Sequence, residues 1–141
     1  MLVDANILLY SIDTASPFHE RVDRLLTEAL NGSRRVGIPW LAIGAFLRIA
    51  TNPRASLRPL SPTQAWEHVD GWLDAPMAWV PEPGRNHRAI VPELMTRLDL
   101  RAGLVSDAIL GAICIEHGLE IVSADSDFAR FTDIRWINPV A

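Results

Sequence analysis

The sequence predicts an α/β protein, a mainly parallel sheet with helices on both faces. Three observations carry this. Short apolar runs of strand length alternate with longer stretches whose apolar residues recur at helical spacing. Asn31-Gly32, Asn52-Pro53 and Gly118 stand where those stretches end, as breakers and caps should. The 141 residues, about half of them hydrophobic, are enough to bury one core, so residues 1–141 are read as a single domain.

Met1–Asp4 reads as a short buried strand, with a helix from Asn6. Ser16-Pro17 opens a second helix through Arg21, Val22, Leu25, Leu26 and Leu30. Val36–Pro39 fits a second strand, and Trp40–Ala50 a third helix. Another helix begins within Pro59–Pro62 and runs through Trp66, Val69, Trp72 and Leu73. Met77–Val80 is the third strand and His87–Leu98 a helix. Ser106–His117 is an almost wholly apolar helix, with Gly118 as its C-cap. Leu119–Ser123 is the fourth strand, and Ile134–Ile137 a short fifth. Strands separated by helices give parallel neighbours.

Composition excludes several classes. The formal net charge is −4, without the basic surface of a typical nucleic-acid binder. Every basic residue is arginine. Chemistry that needs a lysine, such as a P-loop or a Schiff base, is therefore excluded. No apolar run has the length of a membrane span, and the start MLVDANILLYSID has no basic flank of a secretory signal. Cys114 is the lone cysteine and lies in an apolar stretch, which fits a buried thiol in a reducing cytoplasm.

In parallel α/β sheets, ligands bind beyond the carboxyl ends of the strands. Asp4 ends the first strand, Asp125 follows the fourth with Asp127 two residues on, and Asp107 begins the apolar helix. Each acid singly also reads as a helix N-cap, with Ser106 as an alternative cap that would leave Asp107 free. Taken together they are costly. Two charges ~4 Å apart repel by about 4 kcal/mol at an effective dielectric near 20. Protonation or a bound cation relieves this. An all-oxygen ligand set favours Mg²⁺ or Mn²⁺ over Zn²⁺. The Asp125-x-Asp127 pair lacks the glycine and terminal glutamate of a calcium loop.

The segments V-D-A-N-I-L-L-Y, T-N-P-R, S-D-A-I-L-G-A, E-H-G, S-A-D-S-D-F-A-R-F and R-W-I-N-P, in this order, resemble a PIN domain, and more narrowly the toxins of the VapBC toxin–antitoxin type. The resemblance implies a three-layer α/β/α sandwich that cuts RNA with Mg²⁺ or Mn²⁺. It places Asp4, Asp107 and Asp125 as catalytic, metal-holding acids and Asp127 as an auxiliary one. Asn6 would steady Asp4, and Ser123 would hydrogen-bond a metal-holding carboxylate. It also implies a homodimer and a VapB-like antitoxin that wraps the toxin, with operator DNA bound through the antitoxin. One departure stands out. The family glutamate on the third helix corresponds to Ala45, and no acid lies between Glu28 and Glu67. A catalytically degenerate binding protein is therefore the competing reading. A phosphatase of the haloacid-dehalogenase type is disfavoured, because D-A-N lacks the second aspartate and the chain has no lysine.

Weaker signals have bland alternatives. Arg48 reads as a contact to phosphate or acid, or equally as a structural ion pair. Arg34, Arg35, Arg54, Arg58, Arg85, Arg88 and Arg101 read first as solvated surface, then as an RNA-facing rim. Trp66 and Trp72 read as core or dimer packing, and Trp40 as an anchor of its helix or a neighbour of the site. His19 and Glu20 read as helix surface, and Glu116 and His117 as structural.

Overall fold

Two-residue strands suffice to order this molecule, because each continues its pairing into the flanking backbone. In the computed structural model, which describes residues 1–141, the strands are β1 (Leu2–Val3), β2 (Val36–Gly37), β3 (Ala78–Trp79), β4 (Ile121–Val122) and β5 (Trp136–Ile137). All pairings are parallel, in the order β3-β2-β1-β4-β5. Bonds such as Asp4 N–H to the Val122 carbonyl (3.1 Å) and Ser123 N–H to the Ile137 carbonyl (3.0 Å) extend the ladder past the strand ends. The chain lays down β1, β2 and β3 toward one edge, then returns to add β4 and β5 on the other side of β1. The strand order thus reverses between β1 and β4, where such sheets open a crevice at their carboxyl ends.

Six helices cover the sheet: α1 (Ala5–Ile12), α2 (His19–Leu30), α3 (Trp40–Ala50), α4 (Pro62–Leu73), α5 (His87–Arg97) and α6 (Leu104–His117). Alternation along β1 divides the core. Val3 packs into one cluster with Ile7, Leu8, Leu26 and Phe46, on the side of α1–α4. Leu2 packs into the other with Leu94, Ala108, Ile113 and Phe128, on the side of α5 and α6. This is a three-layer α/β/α sandwich.

The boundaries differ from the sequence reading at three helix starts. The first helix begins at Ala5, one residue early, because the Asp4 carboxylate caps it. The second begins at His19 rather than at Ser16-Pro17, whereas the fourth begins at Pro62, within the range read, where Ser61 and Gln64 form a reciprocal capping box. The last begins at Leu104 rather than Ser106, with Gly103 at its N-cap. Asp99 and Ala102, at φ 50° and 51°, reverse the chain tightly enough to start α6 early. The Gly118 cap holds as expected: at φ 65°, its N–H reaches the Cys114 and Ile115 carbonyls.

Glu116 and His117 are structural, as read. The Glu116 carboxylate accepts from the Gly84 (2.7 Å) and Asn86 (3.0 Å) N–H groups, and His117 Nε2 donates to the Glu82 carbonyl (2.8 Å). Together they fix the crossing segment between β3 and α5. Cys114 is buried, and burial pushes its thiol up to about 12, far from a thiolate nucleophile. Trp72 packs edge-on against Phe46 at 4.9 Å, whereas Trp66 and Trp40 are 42% and 51% exposed. No helix is long and apolar enough to cross a membrane.

After β4, a 3₁₀ turn (Ser126–Arg130) is pinned to α6 by Phe128 and Phe131. A Cβ at Gly111 of α6 would lie 3.0 Å from Phe131 Cε1 and 3.2 Å from Ile134 Cδ1. Gly111→Val therefore overpacks this contact. We expect a loss of about 1–3 kcal/mol, read as a lower urea midpoint at unchanged m-value.

Candidate metal centre

The carboxyl ends of β1 and β4 bring Asp4 and Asp125 to the crevice at the strand-order reversal, and α6 delivers Asp107 from its first turn. Carboxylate oxygens of Asp107, Asp125 and Asp127 lie within 4.8 Å of one another. Asp4 stands beside this group rather than inside it. Its charge acts on Asp107, and that of Asp125 acts on Asp4.

Ser123 organises the acids that follow the strands. It is fully buried. Its hydroxyl donates to Asp4 Oδ2 at 2.8 Å and accepts from the Asp125 N–H at 3.0 Å and from Asn6 Nδ2 at 3.0 Å. Asn6 Nδ2 also lies 3.3 Å from Asp4 Oδ2, and Asn6 Oδ1 accepts from the Ala124 N–H at 3.0 Å. Asn6 and Ser123 thus clasp β1 to β4 around Asp4. The indole of Trp136 on β5 donates to the Ser123 carbonyl at 2.9 Å, bracing the hub from the neighbouring strand. Sequence reasoning missed Trp136. Its only signal is a polar-tipped aromatic in a strand, and the sheet order that puts it beside Ser123 is not local information.

Both readings of the acids hold at once for two of them. Asp4 caps α1 through the Ala5 N–H (2.7 Å), and Asp125 caps the 3₁₀ turn through the Asp127 N–H (2.9 Å). Asp107 is different. It is 8% exposed, caps nothing and makes no hydrogen bond. Burial, then the charges of Asp125, Asp4 and Asp127, push its carboxyl up to about 7. Asp4 is also raised, by burial first, against the lowering hydrogen bonds from Ser123 and Ala5.

A buried carboxylate that faces three others and lacks a donor fits a hard divalent cation such as Mg²⁺ or Mn²⁺. Asp107, Asp125 and Asp127 would hold it. Asp4 already accepts three hydrogen bonds, which leaves about one of its roughly four acceptor sites for a further contact. Helix α3 contributes no acid, and Ala45 presents only a methyl group. Arg48 lies eight residues into α3, about 12 Å along it. It is exposed and forms neither a hydrogen bond nor an ion pair, so the structural ion pair is not observed. A cavity of about 620 Å³ lies away from this site. Ile90, Ile115, Leu119 and Ile134 line it, at the amino ends of β4 and β5.

Comparison with known proteins identifies the family. A family model described as "PIN domain" matches residues 1–134. The chain belongs to the PIN domain family. Among its relatives, Ribonuclease VapC37 of Mycobacterium tuberculosis is 43% identical, over 99% of this PIN domain and 97% of the relative. Ribonuclease VapC33 of the same species is 36% identical, over 99% and 98%. The fold matches VapBC2 from Rickettsia felis, solved bound to a DNA fragment from its promoter, with a TM-score of 0.69 at 16% identity over 97% of this chain and 96% of that one. It matches VapBC-1 from nontypeable Haemophilus influenzae equally, with a TM-score of 0.69 at 12% identity over 99% and 98%.

Two outcomes follow for the PIN domain without metal. The native state keeps a proton on Asp107 that the unfolded chain, near 3.8, releases. The Asp107 contribution to stability is therefore complete below about pH 4 and is lost as pH rises through about 7. Urea unfolding in a chelator should show this decline, and Asp107→Asn should flatten it. Ser123→Ala removes the hydroxyl shared by Asp4, Asn6 and Asp125, and we expect a loss of about 1–3 kcal/mol in the same assay at neutral pH.

Proposed function

We propose that this PIN domain is a metal-dependent endoribonuclease, the toxin of a VapBC-type pair, hydrolysing RNA phosphodiester bonds at the Asp107 site. The observation that carries the reading is Asp107 itself, buried, unbonded and surrounded by like charge. Such a carboxylate is maintained at a cost in stability, which a cation-dependent activity explains and a purely structural role does not. The names of the VapC relatives, all ribonucleases, supply the substrate class.

A divalent ion bound here would supply Lewis-acid activation of water and would offset charge developing on the leaving oxygen. The chain's own residues do the rest. Asp107, Asp125 and Asp127 would hold the ion. Asp4 orients through Ser123 and Asn6, and it adds negative charge that keeps the pocket closed to phosphate until a cation neutralises it. Burial of Asp107 and Ser123 limits water on the inner side of the site.

The partner we propose is a VapB-like antitoxin, on the pattern of the VapBC complexes that share this fold; the toxin itself would be a homodimer. DNA would be bound through the antitoxin, consistent with the net charge of −4 on this chain. A second reading, a PIN-fold binding protein without catalysis, is favoured by one feature, the absence of any acid on α3.

Purified protein incubated with total RNA in Mn²⁺ separates the two. We expect discrete fragments, with cleavage reduced at least ~100-fold in Asp107→Asn and in Asp4→Ala, the scale of losing one charge-stabilising group, and abolished by chelation. Intact RNA from folded, antitoxin-free protein would establish the binding module instead.

A further inference from the structure

One arginine touches the acidic cluster. Of the ion pairs in the structure, those of Arg97 with Glu93 and Asp133, Arg101 with Asp99, and Arg135 with Glu120 all join acids outside it. Arg130 Nη2 instead lies 3.9 Å from Asp127 Oδ1. In a 3₁₀ turn, residues three apart eclipse, so Asp127 and Arg130 share one edge. Phe128 and Phe131, also three apart, share another edge and are buried against each other and α6. The aromatic edge fixes the turn, and the charged edge faces solvent at the metal centre.

The Arg130 contact is loose. At 3.9 Å it exceeds hydrogen-bond length, and the two side chains are 52% and 42% exposed. An exposed pair of this kind restrains a guanidinium weakly. The turn does not need it, because the Phe residues and the Asp125 cap already define its conformation.

Resting on the nuclease reading, we propose that Arg130 is the RNA-phosphate contact of this site, held on Asp127 until a cation claims that carboxylate. A divalent ion on Asp107, Asp125 and Asp127 cancels the charge that attracts Arg130. The guanidinium stays tethered at the rim, with its donor fork free for the phosphate oxygens of the incoming strand. Cation loading and substrate capture are thereby coupled through Asp127. Arg130 gives an acidic protein a local positive group where a phosphodiester must approach.

The test compares the parent with Arg130→Gln, Arg130→Lys and, as a control, Arg101→Gln. Calorimetry measures Mn²⁺ binding. Fluorescence anisotropy measures binding of a labelled 20-nucleotide RNA of mixed sequence in Ca²⁺ across a salt series, with the RNA checked for integrity. Arg130→Gln should bind Mn²⁺ as tightly as the parent or more tightly, because Asp127 loses a competing cation. Its RNA affinity should fall about tenfold, and its log K against log salt slope should become shallower by about 0.7, the value of one phosphate contact on a single strand. Arg130→Lys should recover the slope without the full affinity, and Arg101→Gln should behave as the parent. Weakened Mn²⁺ binding in Arg130→Gln, or an unchanged RNA affinity and slope, would overturn the proposal while leaving a parent that cleaves RNA a nuclease. A parent that neither binds Mn²⁺ nor cleaves RNA would overturn both.

Discussion

Mutual repulsion among Asp4, Asp107, Asp125 and Asp127 is the constraint around which this end of the molecule is built. At the 4.8 Å limit that encloses Asp107, Asp125 and Asp127, each ionised pair costs about 3–4 kcal/mol at an effective dielectric near 20. Hydrogen bonds hold two of these acids in place regardless. Asp4 is fixed by Ser123, Asn6 and the Ala5 N–H, and Asp125 is fixed through the Ser123 hydroxyl and its own cap. Asp107 receives no such help, and burial, then the charges of its neighbours, push its carboxyl up to about 7. The pocket is thus preorganised on the strand side and unsatisfied on the helix side, an arrangement that a cation completes.

The fold supplies this geometry through connectivity more than through extended pairing. Two hydrogen-bonded residues per strand would not order a free sheet. Here each strand is locked between two apolar layers, with Leu2 and Val3 committed to opposite cores. The reversal of strand order between β1 and β4 opens the crevice, and the Asn6–Ser123 clasp closes its floor. Trp136 extends the clasp to β5, so three strands share in positioning one hydroxyl.

The same economy appears in the 3₁₀ turn. Ser126–Arg130 presents Asp127 and Arg130 outward because Phe128 and Phe131 face inward, and Gly111 is small enough to let the aromatic edge sit against α6. A five-residue segment therefore carries an acid and a base of the site on a rigid support. Glu116 and His117 do comparable work at the far end of α6, where they tie down the segment crossing from β3.

Periodicity and punctuation in the sequence determined the alternation of strands and helices, the two-faced sheet, the Gly118 cap and the candidacy of Asp4, Asp107, Asp125 and Asp127, because those signals are local and repeat at fixed spacing. The ordered motifs also determined the family. What the sequence left open depended on distance through space. It did not decide that Ser106 is no cap, since two left-handed residues upstream move the start of α6. Nor did it show that Trp136 braces Ser123 or that Arg130 meets Asp127, for a side chain's partner is set by sheet order and turn geometry. Only the tertiary structure separated Asp107 from the other acids. Asp4, Asp107 and Asp125 all read as caps in isolation, and it is burial without a donor, a property of the assembled environment, that makes one of them the group in need of a cation.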